Sequence, residues 1–201
     1  MTSPVFVIRF KALSLGFAIL GLVVVEGVGD CTGDKLYLKK NPYLPDWCRY
    51  TFDGNINLPN SKRFIELYGD GWYTMHHFCR GLNWIDEAFS EGNAKKRDFN
   101  LWQAVDNFDY VLDRTSSAFR FRPDVLYRKG EVLQLLKRKS ESIVCFQEVI
   151  RLRPNFAQGY LALSHAYLSL KMIREAKEVI ESGLKVLPEN EDLKLKLKEL
   201  E

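Results

Sequence analysis

Neither positive nor negative residues dominate this chain: 201 residues carry 29 Lys and Arg against 26 Asp and Glu, a formal net charge of +3. A nucleic-acid partner would require a concentrated basic face. The densest basic run, Arg114, Arg120, Arg122 and Arg128, reads instead as a solvated helix end, so no nucleic acid is expected. Histidine is limited to three residues and cysteine to four. The chain has no CxxCH haem attachment, no HExxH, no GxSxG and no glycine-rich phosphate loop. Its carboxylate pairs are scattered helix-surface charges. Catalysis therefore has no support, and neither an enzyme nor a cofactor is expected. A hydrophobic fraction of 46% and a charged fraction of 27% exclude a disordered chain.

The apolar N-terminal stretch is short as well. Arg9 and Lys11 precede the uncharged stretch Ala12 to Val25, fourteen residues, which is short of the ~20 needed to span a bilayer. That length fits a signal-peptide core, and Gly27 and Gly29 put small residues two apart before Asp30, as a peptidase site requires. An uncleaved anchor from Val5 to Val25 is the rival reading, and it would attach the chain to a membrane. A lipoprotein signal fits less well, because Asp30 precedes Cys31 and Val28 stands where Leu is wanted. Residues 1–29 are thus a signal peptide or membrane anchor. The mature chain is expected in the periplasm or on the extracytoplasmic face of a membrane.

Export changes the reading of Cys31, Cys48, Cys79 and Cys145, since an oxidising compartment favours disulfides. Cys145, in IVCFQEVI, falls on the apolar face of a helix and reads as a packed free thiol. Cys48 and Cys79 bracket a loop whose closure would stabilise by roughly 3 kcal/mol. Cys31 with Cys48 is the alternative pairing. Residues 30–60, with Pro42, Pro45, Pro59 and Gly54, cannot form a long helix. They form an irregular arm with extended pieces such as Leu36–Leu38 and Arg49–Phe52. Tyr37, Tyr43, Trp47, Tyr50 and Phe52 would pack it on the rest of the chain as a lid or edge cover.

From Ser61 onward the pattern is helical. A short helix runs to Tyr68 and stops at Gly69 and Gly71. A second covers Trp72 to Ser90, with Tyr73, His77, Arg80 and Trp84 on one stripe and Phe78, Leu82, Ile85 and Phe89 on another. SEGNAKKRDFN, Ser90 to Asn100, reads as a polar loop. Leu101 to Arg114 resumes with Trp102, Val105, Phe108 and Leu112 facing a core.

Self-similarity then appears at a period of 34 residues. One copy reads Leu126-x2-Lys129-Gly130-x2-Leu133, Ser142-x3-Phe146, Pro154. The next reads Tyr160-x2-Leu163-Ser164-x2-Tyr167, Ala176-x3-Ile180, Pro188. This spacing resembles the tetratricopeptide-repeat family, W-x2-L-G-x2-Y, A-x3-F, P, with Lys129, Ser142 and Ser164 departing from its usual choices. A degenerate unit precedes them: His77-x2-Arg80-Gly81-x2-Trp84 and Ala104-x3-Phe108. Trp84 and Ala104 stand twenty positions apart where Leu133 and Ser142 stand nine apart, an insertion of eleven residues. A further insertion, including SSAFRFR, follows Arg114. Leu193, Leu197 and Leu200 give residues 191–201 the one-sided stripe of a capping helix.

The expected fold is all-α, a short solenoid of antiparallel helix pairs. A degenerate repeat lies at 61–122, two tetratricopeptide repeats at 123–190, and a cap at 191–201. The resemblance implies that the first helices of successive pairs line a concave groove taking a peptide or a partner's helix. Carried onto this chain, the groove comprises Phe78, Leu82 and Ile85, then Asp124, Tyr127, Glu131 and Gln134, then Gln158, Leu161, His165 and Leu168. It lacks the Lys and Asn pairs with which some members clamp a chaperone's terminal carboxylate. The expected function is an adaptor or accessory subunit of an envelope complex. The alternative is a small metal- or cofactor-binding envelope protein using His76, His77 and Cys79. On a helix, however, His77 points about 100° away from the face that His76 and Cys79 share.

Overall fold

The computed structural model describes residues 44–51 and 59–201. The expectations for the N-terminal run, Cys31, Leu36–Leu38 and Phe52 lie outside these residues. Eight α-helices and no strand occur among the described residues: α1 (Pro59–Tyr68), α2 (Met75–Ser90), α3 (Ala94–Arg114), α4 (Arg122–Leu135), α5 (Lys139–Leu152), α6 (Ala157–Ser169), α7 (Ile173–Val186) and α8 (Glu191–Glu199). Helices α2 and α3, α4 and α5, and α6 and α7 form antiparallel pairs. Each pair packs on the next through α3 on α4 and α5 on α6. The architecture is a short solenoid. None of the described helices is long and apolar enough to cross a membrane.

The pairs repeat at the level of single contacts. A Cβ built on Gly130 would stand 2.6 Å from the Phe146 ring, and one on Gly81 would stand 2.5 Å from the Phe108 ring. Both rings are fully buried, so each glycine is the notch into which the second helix of its pair sets an aromatic side chain. In the third pair Ser164 and Ile180 occupy the equivalent positions: a slightly larger residue stands where the opposing side chain is smaller. The two clean repeats also share a turn. Lys137 and Lys171 both have φ 61. The amides that follow them, Arg138 N and Met172 N, donate back to Leu133 O at 2.7 Å and Tyr167 O at 3.0 Å. This is the left-handed helix ending that glycine usually occupies.

Composition misled in two places. The polar stretch Ser90 to Asn100 is not a loop, because α3 begins at Ala94. Asn93 caps it, its side-chain oxygen accepting from Lys95 N at 3.0 Å and Lys96 N at 3.1 Å. Lys and Arg are good helix formers, and one cap residue suffices to start them. Measured from Gly81 and Ala104 against their counterparts Gly130 and Ser142, the eleven inserted residues lengthen α2 by four residues and α3 by seven. The turn between them stays at three residues, 91–93. The α2–α3 hairpin therefore overhangs its neighbours by about 6 and 10 Å on its two helices. Secondly, the expected helix from Trp72 is a 3-10 turn over Asp70–Thr74 followed by α2. Asp46–Tyr50 likewise forms a 3-10 turn where Arg49–Phe52 was expected to be extended.

Both ends of the stack are covered. At the C-terminus Asn190 caps α8 through Leu193 N, and Leu193 is fully buried with Leu197 and Leu200 packed beside it. At the N-terminus an aromatic cluster closes the first pair. Phe64 stacks on Trp72 at 4.6 Å, Trp47 lies 5.4 Å from Trp72 and 5.8 Å from Phe78, and Tyr68 meets Phe121 edge-on at 4.9 Å. Phe119 and Phe121, from the insertion after Arg114, belong to this cluster. A disulfide joins Cys48 to Cys79, fixing the 3-10 turn of the arm to α2.

Candidate functional site

Helices α2, α4 and α6 line one side of the stack, with α4 touching α6 directly. The residues assigned to a groove on this side divide into three groups. Phe78 is closed and Leu82 is half-buried. Phe78 is buried against Trp47 and Phe108, and Leu82 packs against the cluster formed by Leu44, Cys48 and Cys79. The arm lies at this end of the groove, so Phe78 is corrected to core, while Leu82 is half-buried beside it. Asp124 is corrected to a structural role. Arg153 donates to both of its carboxylate oxygens, at 2.9 and 2.7 Å, and to Arg120 O at 3.0 Å, tying the start of α4 to the end of α5.

Tyr127 and Leu161, the second group, are half-buried between repeats. Tyr127 packs on Phe146 at 5.8 Å and edge-on to Phe156 at 5.3 Å. Burial, and then the neighbouring Glu131 carboxylate, push its phenol well above the usual tyrosine range. Leu161 packs against the buried cluster of Ala157, Tyr160, Ile180 and Leu193. Gln158 is exposed and Leu168 half-buried.

The third group is brought together. Ile85, Glu131, Gln134 and His165 line a cleft of about 500 Å³ between α2, α4 and α6. The sequence reading missed the rest of its lining: Phe89 on the overhang of α2, Arg128, Val132 and Leu135 on α4, Lys139 at the start of α5, and Ser169 at the end of α6. Arg128 Nη1 donates to Glu131 Oε2 at 2.5 Å, and Lys139 Nζ donates to Ser169 O at 2.6 Å. The Gln134 amide nitrogen is buried with no hydrogen-bond acceptor among the described residues. Phe89 and Leu135 are 68% and 42% exposed, so the apolar walls are open to solvent. Phe89 stands one helical turn beyond Ile85 on the stripe already legible in the sequence, but past the positions that the family's groove implies.

The histidine and cysteine constellation does not assemble. Cys79 is bonded to Cys48. His76 Nδ1 lies 2.8 Å from Tyr73 O, while His77 stacks on Tyr110 at 3.6 Å with Nδ1 2.8 Å from Asn107 Oδ1. Partial burial lowers the His77 pKa, against the hydrogen bond to Asn107. No group of three potential metal ligands occurs among the described residues. Lys129, placed where the repeat usually has Leu, reaches Asp109 on α3 and pairs with it. The free thiol of Cys145 is buried, and desolvation pushes its pKa up to about 11.

Stacked helix pairs with one side lined by the first helix of each pair define a repeat scaffold. Residues 123–156 and 157–190, together about a third of the chain, each match the tetratricopeptide repeat. The fold is similar to that of a thermophilic tetratricopeptide-repeat protein of Thermus thermophilus, with a TM-score of 0.56 at 18% identity over 83% of this chain and 86% of that one. In sequence the chain is 31% identical over 112 residues, 54% of its length, to the Hsp70-Hsp90 organizing protein of Triticum aestivum. It is 29% identical over 110 residues, 53% of its length, to the STIP1 homolog of Dictyostelium discoideum. The matches span 18% of each of these two relatives.

Proposed function

We propose that this chain is a protein-binding module with no catalytic activity of its own, holding a short segment of a partner protein along the side lined by α2, α4 and α6. The observation that carries this reading is the open apolar cleft between Ile85, Phe89 and Leu135, rimmed by hydrogen-bonding side chains. Ligand sites commonly pair apolar walls with a few placed polar groups in this way. The repeat matched over 123–190 and the two relatives named above agree with a binding role. The metal-binding alternative is not favoured, because the Cys79 thiol is engaged with Cys48.

We infer further that the partner belongs to a membrane or envelope complex, with this chain as adaptor or accessory subunit on the extracytoplasmic side. Two features support that placement: the uncharged run Ala12–Val25, and a disulfide of the kind that persists in oxidising compartments. The test is a photoreactive residue at His165, which is exposed and lines the cleft. Irradiation in the native host should capture one partner, and Ile85→Glu should abolish capture while leaving helical content unchanged. Cross-links confined to the chain's own residues before Leu44 would refute an open binding site. Alkylation of Cys48 and Cys79 in rapidly quenched cells, without reductant, would refute the extracytoplasmic placement.

A further inference from the structure

We propose that the cleft beneath the α2–α3 overhang is a specificity pocket for one bulky apolar side chain of the bound segment, with an acidic residue beside it. This rests on the protein-binding reading above and specifies the chemistry of the segment.

The pocket is built by the insertion. Without the four residues added to α2, the helix would end before Phe89, and the wall facing Leu135 would stop near Ile85. Phe89 is the most exposed large hydrophobic residue among those described, at 68%, yet it lines a cleft whose other apolar walls are Ile85, Val132 and Leu135. An apolar side chain entering there would desolvate both faces at once. The volume of about 500 Å³ lies within the range of ligand clefts.

Charge fixes the neighbour. Arg128 and Glu131 compensate one another across 2.5 Å. The Lys139 ammonium meets a neutral carbonyl, Ser169 O, and no carboxylate among the described residues pairs with it. A cation on the rim of an apolar cleft favours an anionic ligand group and opposes a cationic one. The arm sets the limit at the other end: Leu44 and Cys48 close the lining at Leu82, so the segment is accommodated only from Ile85 onward.

The test is selection of short, internally displayed random peptides on the full chain. The expected result is enrichment of Phe, Leu or Trp adjacent to Asp or Glu. Phe89→Ser, at an exposed position, should weaken the selected peptides by about tenfold with unchanged thermal unfolding. Lys139→Glu should exchange the Asp or Glu preference for Lys or Arg. Enriched peptides without an apolar anchor, or a preference unmoved by Lys139→Glu, would overturn the proposal while leaving protein binding intact. Binding that requires a free terminal carboxylate would also overturn it. Failure to enrich any peptide, together with no partner captured from His165, would overturn the underlying reading as well.

Discussion

Replacing Gly130 with Ala sets two effects of known sign against each other. In a helix interior Ala is favoured over Gly by about 1 kcal/mol, and Gly130 lies within α4. The new Cβ would stand 2.6, 2.8 and 3.0 Å from three atoms of the Phe146 ring. That ring is fully buried, in contact with the cluster of Leu163 and Ala166 and packed beside Tyr127. Overpacking of this kind costs about 1–3 kcal/mol, so Gly130→Ala should be destabilising by about 1 kcal/mol net of propensity. Urea denaturation would read this as a lower midpoint at constant slope. Gly92 is the control. It has nothing within 4 Å of its would-be Cβ, so Gly92→Ala should be neutral or stabilising by up to about 1 kcal/mol. Adding Phe146→Leu to Gly130→Ala should recover stability relative to the sum of the single changes, because the smaller side chain vacates the contested space. Ser164 and Ile180 are the native version of that double change. A raised midpoint for Gly130→Ala, or strict additivity of the pair, would refute the fixed-ring argument.

Three further outcomes follow from the same structure. Lys137→Gly and Lys171→Gly should each stabilise by about 0.5–1 kcal/mol in thermal or urea unfolding, since φ 61 is strained for a side-chain-bearing residue. Cys145 is an acid whose folded pKa, about 11, lies above the ordinary thiol value of 9.0, so its contribution is present below pH 9 and is lost as pH rises to 11. The wild type should lose about 2–3 kcal/mol more stability than Cys145→Ala over that window, and alkylation of its thiol at pH 8 should require unfolding. Cys48→Ser with Cys79→Ser, removing a cross-link between residues 31 apart, should cost about 3–4 kcal/mol in equilibrium unfolding without reductant.

The repeat was legible because its determinants are local: a small residue, a large one sixteen positions later and a proline beyond, each acting within one helix pair. The same logic recovered the first pair from Gly81 and Phe108 despite eleven inserted residues. What composition obscured was where those residues went, since a run of Lys, Lys and Arg is equally at home in a loop and on an exposed helix. Asn93, a single cap, decides between them. The groove was legible only in part for a different reason. Repeat spacing assigns every first-helix residue to the same face, but it carries no information about what lies across that face. Phe78 is closed, and Leu82 partly covered, because Leu44, Trp47 and Cys48, about thirty residues earlier in the chain, pack against them. Asp124 is taken up by Arg153, which follows the second helix of its own pair. Phe89 joins the site because the overhang extends it past the repeat's ordinary length. The open part of this face is therefore defined by departures from the repeat, an arm at one end and an insertion at the other, and those departures give this chain a cleft that the shared 34-residue pattern does not encode.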